Sequence, residues 1–330
     1  DLRRRDLTIN AMAMSANGKL FDPYGGQQDL QNRVLRHISP AFAEDPVRIL
    51  RVARFAARYA HLGFNVAEET REMMSTMVTA GEVDHLVPER IWAELLKALN
   101  EKAPSAFFYT LKDCHALNRI FPEIACLFGV PQPEKYHPEI DTGVHIMLCL
   151  EQAALLSPKP EVRFAVLVHD LGKGITPREQ WPHHYSHELL GLPVLEKLCH
   201  RLRIPNAFKS LATLVMRYHT HCHKAFELRA STLTETLDAI SAFKKDNNLL
   251  TDFLLACEAD AKGRTGLENK PYHQADYFRN AAKAGAAIDI STILHNESEG
   301  AKIGAAIARL RISAVAEAIK AYRSAQATTE

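Results

Sequence analysis

At 330 residues with 47% hydrophobic side chains, the chain has the apolar content for a sizeable core and the length for two or more domains. No run approaches the roughly 20 apolar residues of a membrane span, and Asp1 to Asp6 are charged rather than signal-like, which points to a cytoplasmic protein. The net charge is only +1, but residues 1–60 hold ten Lys/Arg against six Asp/Glu, a local +4 that leaves −3 for the remainder, so a phosphate-binding surface is expected near the N-terminal end.

The run Leu7 to Met14 is short and apolar, and Gly18-Lys19 before Leu20-Phe21 predicts a hairpin turn between two strands. From Asp45 onward the periodicity is helical almost throughout, broken at Gly63, Gly81, Pro88, Pro104, Pro122, Pro131, Pro133, Pro158, Pro160 and Pro205. The bulk is therefore predicted to be all-α. Three prolines between Pro131 and Pro138 mark the best domain boundary, and a weaker one lies near Lys244 to Asn248. The alanine-rich stretch Ala281 to Ala327 suits close helix packing.

Two constellations near the N-terminus carry chemistry. Arg4-Arg5-Asp6 precedes the first apolar run, where guanidinium forks could hold a triphosphate and a carboxylate could accept from a ribose hydroxyl; a solvated charge cluster would look the same. Glu44-Asp45-Pro46-Val47-Arg48 leads into a long helix. Asp before Pro is a good helix cap, yet Asp45 and Arg48 also project from neighbouring parts of one helix surface. A carboxylate that accepts and a guanidinium that donates would suit cytosine and adenine, each offering an amine donor beside a ring-nitrogen acceptor, and would reject uracil and guanine. Arg48, Arg51, Arg54 and Arg58 form a one-sided basic stripe on that helix, which reads either as a solvated face or as an RNA or triphosphate contact.

Ten of the sixteen histidines fall between His137 and His223. His169-Asp170 follows the apolar run Phe164 to Val168, and imidazole and carboxylate are natural ligands for a divalent metal. Lys173, near a glycine break, could meet a phosphate. His145, His184, His187, His219 and Asp260 are further candidates, whereas His183, His221 and His223 read as surface residues. The six cysteines contain no CxxC pair and read as reduced thiols.

In order, Arg4-Arg5-Asp6 with Asn10, Asp22-Pro-Tyr-Gly25-Gly26 with Asp29-Leu30, and Glu44-Asp45-Pro-Val-Arg48 with Arg51 and Arg54 closely resemble the bacterial class II CCA-adding enzymes. Glu89-Arg90-Ile91-Trp92 with Glu94-Leu95 resembles the family's neck motif, and Glu258-Ala-Asp260 through Gly266 resembles a segment of its HD-bearing branch. The resemblance spans essentially the whole chain. It implies a mainly α fold: a remnant of a nucleotidyltransferase α/β palm over residues 1–40, a helical neck over 41–130, an HD phosphohydrolase body over 131–243 and a helical, tRNA-binding tail over 244–330.

That resemblance also implies roles. Arg5 and Asp6 would lie near the incoming ribose and phosphates, with Asn10, Arg51 and Arg54 as further nucleotide-binding residues, and Asp45 with Arg48 would template the base. The family adds CTP and ATP to the tRNA 3′ end with Mg2+ held by a DxD carboxylate pair. In the family that pair precedes the RRD motif, and this sequence starts at Asp1 just before the motif, so the chain alone is expected not to add nucleotides. In the HD body His145, His169, Asp170 and Asp260 would be metal ligands for Ni2+ or Mg2+, Lys173 catalytic, and His187 and His219 phosphate or second-metal ligands. The activities implied are 2′,3′-cyclic phosphodiesterase, 2′-nucleotidase and phosphatase. A monomer or homodimer is expected. A poly(A) polymerase shares the RRD and EDxxR motifs, and a non-catalytic tRNA-binding module is the other alternative.

Overall fold

The computed structural model describes residues 2–244, 248–291 and 299–327. The predicted opening hairpin is present, though shorter than the apolar run suggested. Strands β1 (Ala13–Met14) and β2 (Leu20–Phe21) pair antiparallel, Ala13 opposite Phe21, with Gly18 at positive φ in the turn. Leu7, Thr8 and Ala11 are instead buried in a short helical turn and its flanks. Helix α1 (Gly26–Asn32) starts where both Asp22 oxygens take backbone N–H groups, from Gly26 at 2.7 Å and Gln27 at 2.9 Å. A side chain on Gly26 would run into the Thr8 carbonyl, which accounts for the second glycine of the Asp22-to-Gly26 motif. A two-residue parallel pairing of β3 (Val34–Leu35) with β4 (Asn65–Val66) completes the strands among the described residues.

The remainder is helical. Helices α2 (Val47–Tyr59), α3 (Glu68–Thr79), α4 (Pro88–Leu99), α5 (Ser105–Asp113), α6 (Ala116–Ile120) and α7 (Pro122–Ala125) form the neck, in which α2 packs on α4 and α5. Asp45 Oδ1 accepts the Val47 N–H at 3.1 Å at the start of α2, and Pro46, the N-cap residue, has no N–H to leave unpaired. Every residue of the neck motif has a structural partner. Trp92 stands edge-on to Phe164 and Phe208, with centroids 5.9 and 4.8 Å away. Ile91 and Leu95 enter the core, Glu94 pairs with Arg54, Arg90 with Asp45 and Glu89 with Arg203.

Helices α8 (Thr142–Leu156), α9 (Pro160–Val168), α10 (His187–Arg201), α11 (Asn206–His223), α12 (Ala230–Ala239) and α13 (Asn248–Lys262) build the body. In α9, Val162 to Val168 are all buried, as expected of a central helix with no solvated face; α8, α11 and α13 pack around it. A boundary at residue 244 is therefore displaced, because it would cut α13 from the helices it packs on; the tail proper is α14 (His273–Ala286) and α15 (Gly300–Ala327), which pack on each other and on α12.

One guanidinium joins neck to body. Arg163, on α9, donates to Leu99 O at 2.6 Å and Glu101 O at 3.0 Å from the neck, and to Ser157 O at 2.9 Å and Ala154 O at 3.1 Å from the body. No helix among the described residues is long and apolar enough to cross a membrane.

Candidate functional site: a metal centre in the helical body

Four elements converge at the end of α9. The helix stops at His169, and the turn Leu171–Ile175 folds back so tightly under α10 that a side chain on Gly172 would strike the His187 carbonyl. The α9 terminus supplies His169 and Asp170, α8 supplies His145, α13 supplies Asp260, and α10 and α11 supply His187 and His219. All but His187 are nearly sealed from solvent. His145 Nε2 lies 3.1 Å from Asp260 Oδ1, and His169 Nε2 lies 3.4 Å from Asp260 Oδ2 and 3.3 Å from Asp170 Oδ2. His187 Nε2 and His219 Nε2 stand 3.2 and 3.6 Å from Asp170 Oδ1.

The histidines are held by their far nitrogens. Nδ1 of His169 bonds the Val166 carbonyl at 2.7 Å, that of His187 the His184 carbonyl at 2.9 Å, and that of His219 the Val215 and Met216 carbonyls at 3.0 Å. A carbonyl can only accept, so each Nδ1 carries a hydrogen and each ring turns its Nε2 inward. His169 Nε2, His187 Nε2 and both Asp170 oxygens are buried with no well-directed hydrogen bond. Buried polar atoms are rarely left so, and the overlapping clusters His145–His169–Asp170 and Asp170–His187–His219, with imidazole and carboxylate as donors, fit a divalent cation.

Electrostatics agree with that fit. Burial works to lower the His169 pKa, but Asp170 and Asp260 outweigh it and lift it to about 9. Burial likewise opposes ionisation of Asp170 and Asp260, yet His169 and Lys173 beside the first, and His223 and His169 beside the second, hold both well below the usual carboxylate range. Lys173 is buried too, its Nζ 2.6 Å from Asp170 Oδ2 and 2.5 Å from Gln132 Oε1. An open cleft of about 570 Å³ leads to the site, lined among others by Tyr136, Lys173, His183, His223 and Arg264.

Two participants, His223 and Glu139, were misplaced or missed from the sequence. His223, read as a surface residue, sits 2.6 Å from Asp260 Oδ2, while its Nδ1 lies 2.9 Å from the Tyr272 hydroxyl; its four-residue spacing from His219 on one helix was the available signal. Glu139 was not considered. Its Oε1 lies 2.8 Å from His145 Nδ1 and 3.1 Å from His137 Nδ1. Burial opposes its ionisation, but bonds from the two histidines hold it below the usual carboxylate range. The proline-rich segment read as a boundary is thus also a wall of the site. His221 is half-buried against Thr236 Oγ1 at 2.8 Å rather than on the surface. His184 is buried but structural, with Nε2 at 2.7 Å from the Pro131 carbonyl and Nδ1 at 2.6 Å from Thr176 Oγ1. His183 is exposed.

At the N-terminal end the structure gathers Asp6, Asn10 and Arg51. Asp6 Oδ1 accepts from Asn10 Nδ2 at 3.1 Å and Leu7 N at 2.9 Å, and its Oδ2 is 2.7 Å from Arg51 Nη2. Arg5 is exposed beside them. Asp45 and Arg48 do not bond each other: Asp45 Oδ2 meets Arg90 Nη2 at 2.8 Å, and Arg48 donates to the Ala41 and Arg4 carbonyls. The basic stripe is corrected at Arg54, which turns inward to Glu94 Oε2 at 2.7 Å, only 6% exposed. A guanidinium so committed is not presented to RNA or triphosphate. Arg58 is engaged by Glu101 at 2.8 Å.

Comparison with known proteins matches three families in chain order: the poly A polymerase head domain over residues 1–36, a probable RNA and SrmB-binding site of polymerase A over 63–127, and the HD domain over 142–254. The Multifunctional CCA protein of Methylococcus capsulatus is 59% identical over 324 residues, 98% of this chain and 76% of that protein. The chain belongs to the multifunctional CCA protein family. The Multifunctional CCA protein of Teredinibacter turnerae is 54% identical across 100% of the chain and 79% of its own length. A solved CCA-adding enzyme complexed with ATP shares the fold, with TM-score 0.63 at 19% identity over 100% of this chain and 72% of that one. The Thermotoga maritima CCA-adding enzyme complexed with tRNA has TM-score 0.60 at 18% identity, covering 98% and 73%. Membership in the multifunctional CCA family, rather than likeness to poly A polymerase in two segments, accounts for the head, neck and HD body together.

Proposed function

We propose that this chain serves CCA addition at the tRNA 3′ end from CTP and ATP, and that its HD body is a metal-dependent phosphohydrolase. Family membership supports the first part. Nucleotide binding by Arg5, Asp6, Asn10 and Arg51, and base templating by Asp45 and Arg48, are compatible with the geometry once Arg90 releases Asp45. The observation that carries the second part is the buried cluster of imidazoles and carboxylates around Asp170, in which His169 Nε2 and His187 Nε2 have no well-directed hydrogen bond.

His145, His169, Asp170 and Asp260 would hold the ion, Ni2+ or Mg2+, with His187 and His219 available to a phosphate oxygen or a second ion. When bound, a divalent ion polarises a phosphoryl group and makes water more acidic. The chain's own residues do the rest. Lys173 places a positive charge beside Asp170, where phosphate negative charge must enter, and Gln132 fixes the direction of its ammonium group. His223 bridges Asp260 and Tyr272 and so fixes the carboxylate's rotation. Glu139 and His137 of the proline-rich segment back His145, and the cleft gives substrate and water a route to Asp170 and Asp260. Net hydrolysis cleaves a P–O ester bond of a 2′-phosphate or 2′,3′-cyclic phosphate, water supplying hydroxyl to phosphorus and a proton to the departing oxygen.

The test is hydrolysis of 2′,3′-cyclic AMP with Ni2+, Mg2+ or EDTA, by the chain and its Asp170→Ala variant. Activity that needs both metal and Asp170 is expected. Activity retained in EDTA, or unchanged in the variant, would overturn the reading.

A further inference from the structure

The cleft has more room and more kinds of surface than a phosphate needs. Its inner end is charged, with Asp170, Asp260 and Lys173, and its exposed lining carries, besides Lys224 and Glu227, two aromatic rings at the lip: Tyr136 and His183, flanked by Pro133 and Pro182. Tyr136 is 56% exposed, and core packing gives no reason for it. At about 570 Å³ the cleft falls within the size of small-molecule sites, well beyond one phosphoryl group.

The lip is held in place. Buried His184 links the two loops that carry it, bonding the Pro131 carbonyl on one side and the Thr176 hydroxyl on the other, at 2.7 and 2.6 Å. On the first loop the Tyr136 backbone N–H returns to the Pro133 carbonyl at 3.0 Å. On the second, the His183 ring stacks on Tyr185 with centroids 5.8 Å apart and planes 22° from parallel. Two aromatic rings are therefore presented at the mouth by loops tied to each other, while Asp170, Asp260 and Lys173 lie buried below them and Lys224 and Glu227 line the exposed wall.

We propose that Tyr136 and His183 form a nucleobase subsite, so that the HD site selects nucleoside phosphates over other phosphomonoesters. The inference rests on the hydrolase reading above and adds which part of the substrate is recognised. The phosphoryl end lies at Lys173 and the metal ligands, and the base stacks at the lip. Stacking of this kind is worth about 1–3 kcal/mol per base and tolerates any base, because every base has a π face. The subsite thus distinguishes nucleotide from sugar or polyol phosphate, not adenine from cytosine.

The experiment compares 2′,3′-cyclic AMP with glycerol 2-phosphate, which has no ring, on the metal-loaded chain and its Tyr136→Ala, Tyr136→Phe and His183→Ala variants. The preference for the nucleotide, as a ratio of kcat/KM values, is expected to fall about tenfold in Tyr136→Ala, mostly through KM, and to survive in Tyr136→Phe. An equal loss on both substrates, or an unchanged ratio, would overturn the subsite while leaving the hydrolase standing. If the wild-type chain hydrolyses neither compound, the hydrolase reading fails. Calorimetric titration with adenosine 2′-monophosphate then decides the subsite, since equal affinity in wild type and Tyr136→Ala overturns it.

Discussion

Glu139 Oε1 lies 2.8 Å from His145 Nδ1, with both side chains sealed from solvent. The contact leaves His145 one nitrogen, Nε2, for the metal site, and aims it at Asp260. Carboxylates behind ligating histidines raise ligand basicity and fix the ring, and removing them typically costs about 10–100-fold in metal affinity. Glu139→Gln is expected to weaken Ni2+ binding within that range, measured by calorimetry. An unchanged affinity in a folded variant would show that His145 is held by packing alone.

Arg54 and Glu94 form a buried pair, with side chains 7% and 6% exposed. Removing one partner of such a pair costs about 3–5 kcal/mol, whereas replacing both by apolar groups is often neutral. Arg54→Ala should therefore lower the urea midpoint strongly, and Arg54→Met with Glu94→Leu should recover most of it. A loss in the double variant as large as in the single one would mean that the charges themselves hold α2 to α4.

The same pair sets an acid limit. Burial opposes ionisation of Glu94, but Lys97 and Arg54 outweigh it and lower its pKa; burial likewise opposes Asp6, which Asn10 and Arg51 hold low. Their folded pKa values lie below the unfolded ones, near 3.9 and 4.3 for Asp and Glu. Their contribution is therefore fully present above that range and is lost as the pH falls through the folded values. Urea unfolding between pH 7 and pH 3 should show stability dropping below about pH 4, with a shallower slope in Glu94→Gln. Equal slopes in both proteins would count against it.

Gly172→Ala tests how closely the turn after Asp170 packs on α10. The new methyl would meet the His187 carbonyl and lie 2.8 Å from Gly191 N, neither of which is a flexible side-chain end. Overpacking of this sort costs about 1–3 kcal/mol, and here it also pushes His187 away from Asp170. Thermal unfolding should come earlier and Ni2+ affinity should drop. Normal values of both would show that α10 slides freely.

Local chemistry was legible in the sequence where neighbours in the chain act together. Asp45-Pro46 starts α2, Gly18 turns the hairpin, and His169-Asp170 ends an apolar helix, each fixed by residues within a few positions. Contacts set by the tertiary fold were not legible from spacing. Asp260 meets His145 across 115 residues, so family likeness, not periodicity, assigned it. Arg54 lies in the same helical arc as Arg48 and Arg51, and only the approach of α4 turns it inward. Glu139 and His223 were obscured by crowding, since one window of ten histidines says that something is there without saying which rings face each other.

Arg163 offers four carbonyls from two segments one shared set of donors. If neck and body came apart, the Leu99 and Glu101 carbonyls would lose their donor and the buried guanidinium two of its four acceptors at once. The neck and the HD body are thereby bound to one melting event: a thermal scan followed at Trp92 and at Ni2+ release should trace the same curve, with no temperature at which one half survives the other.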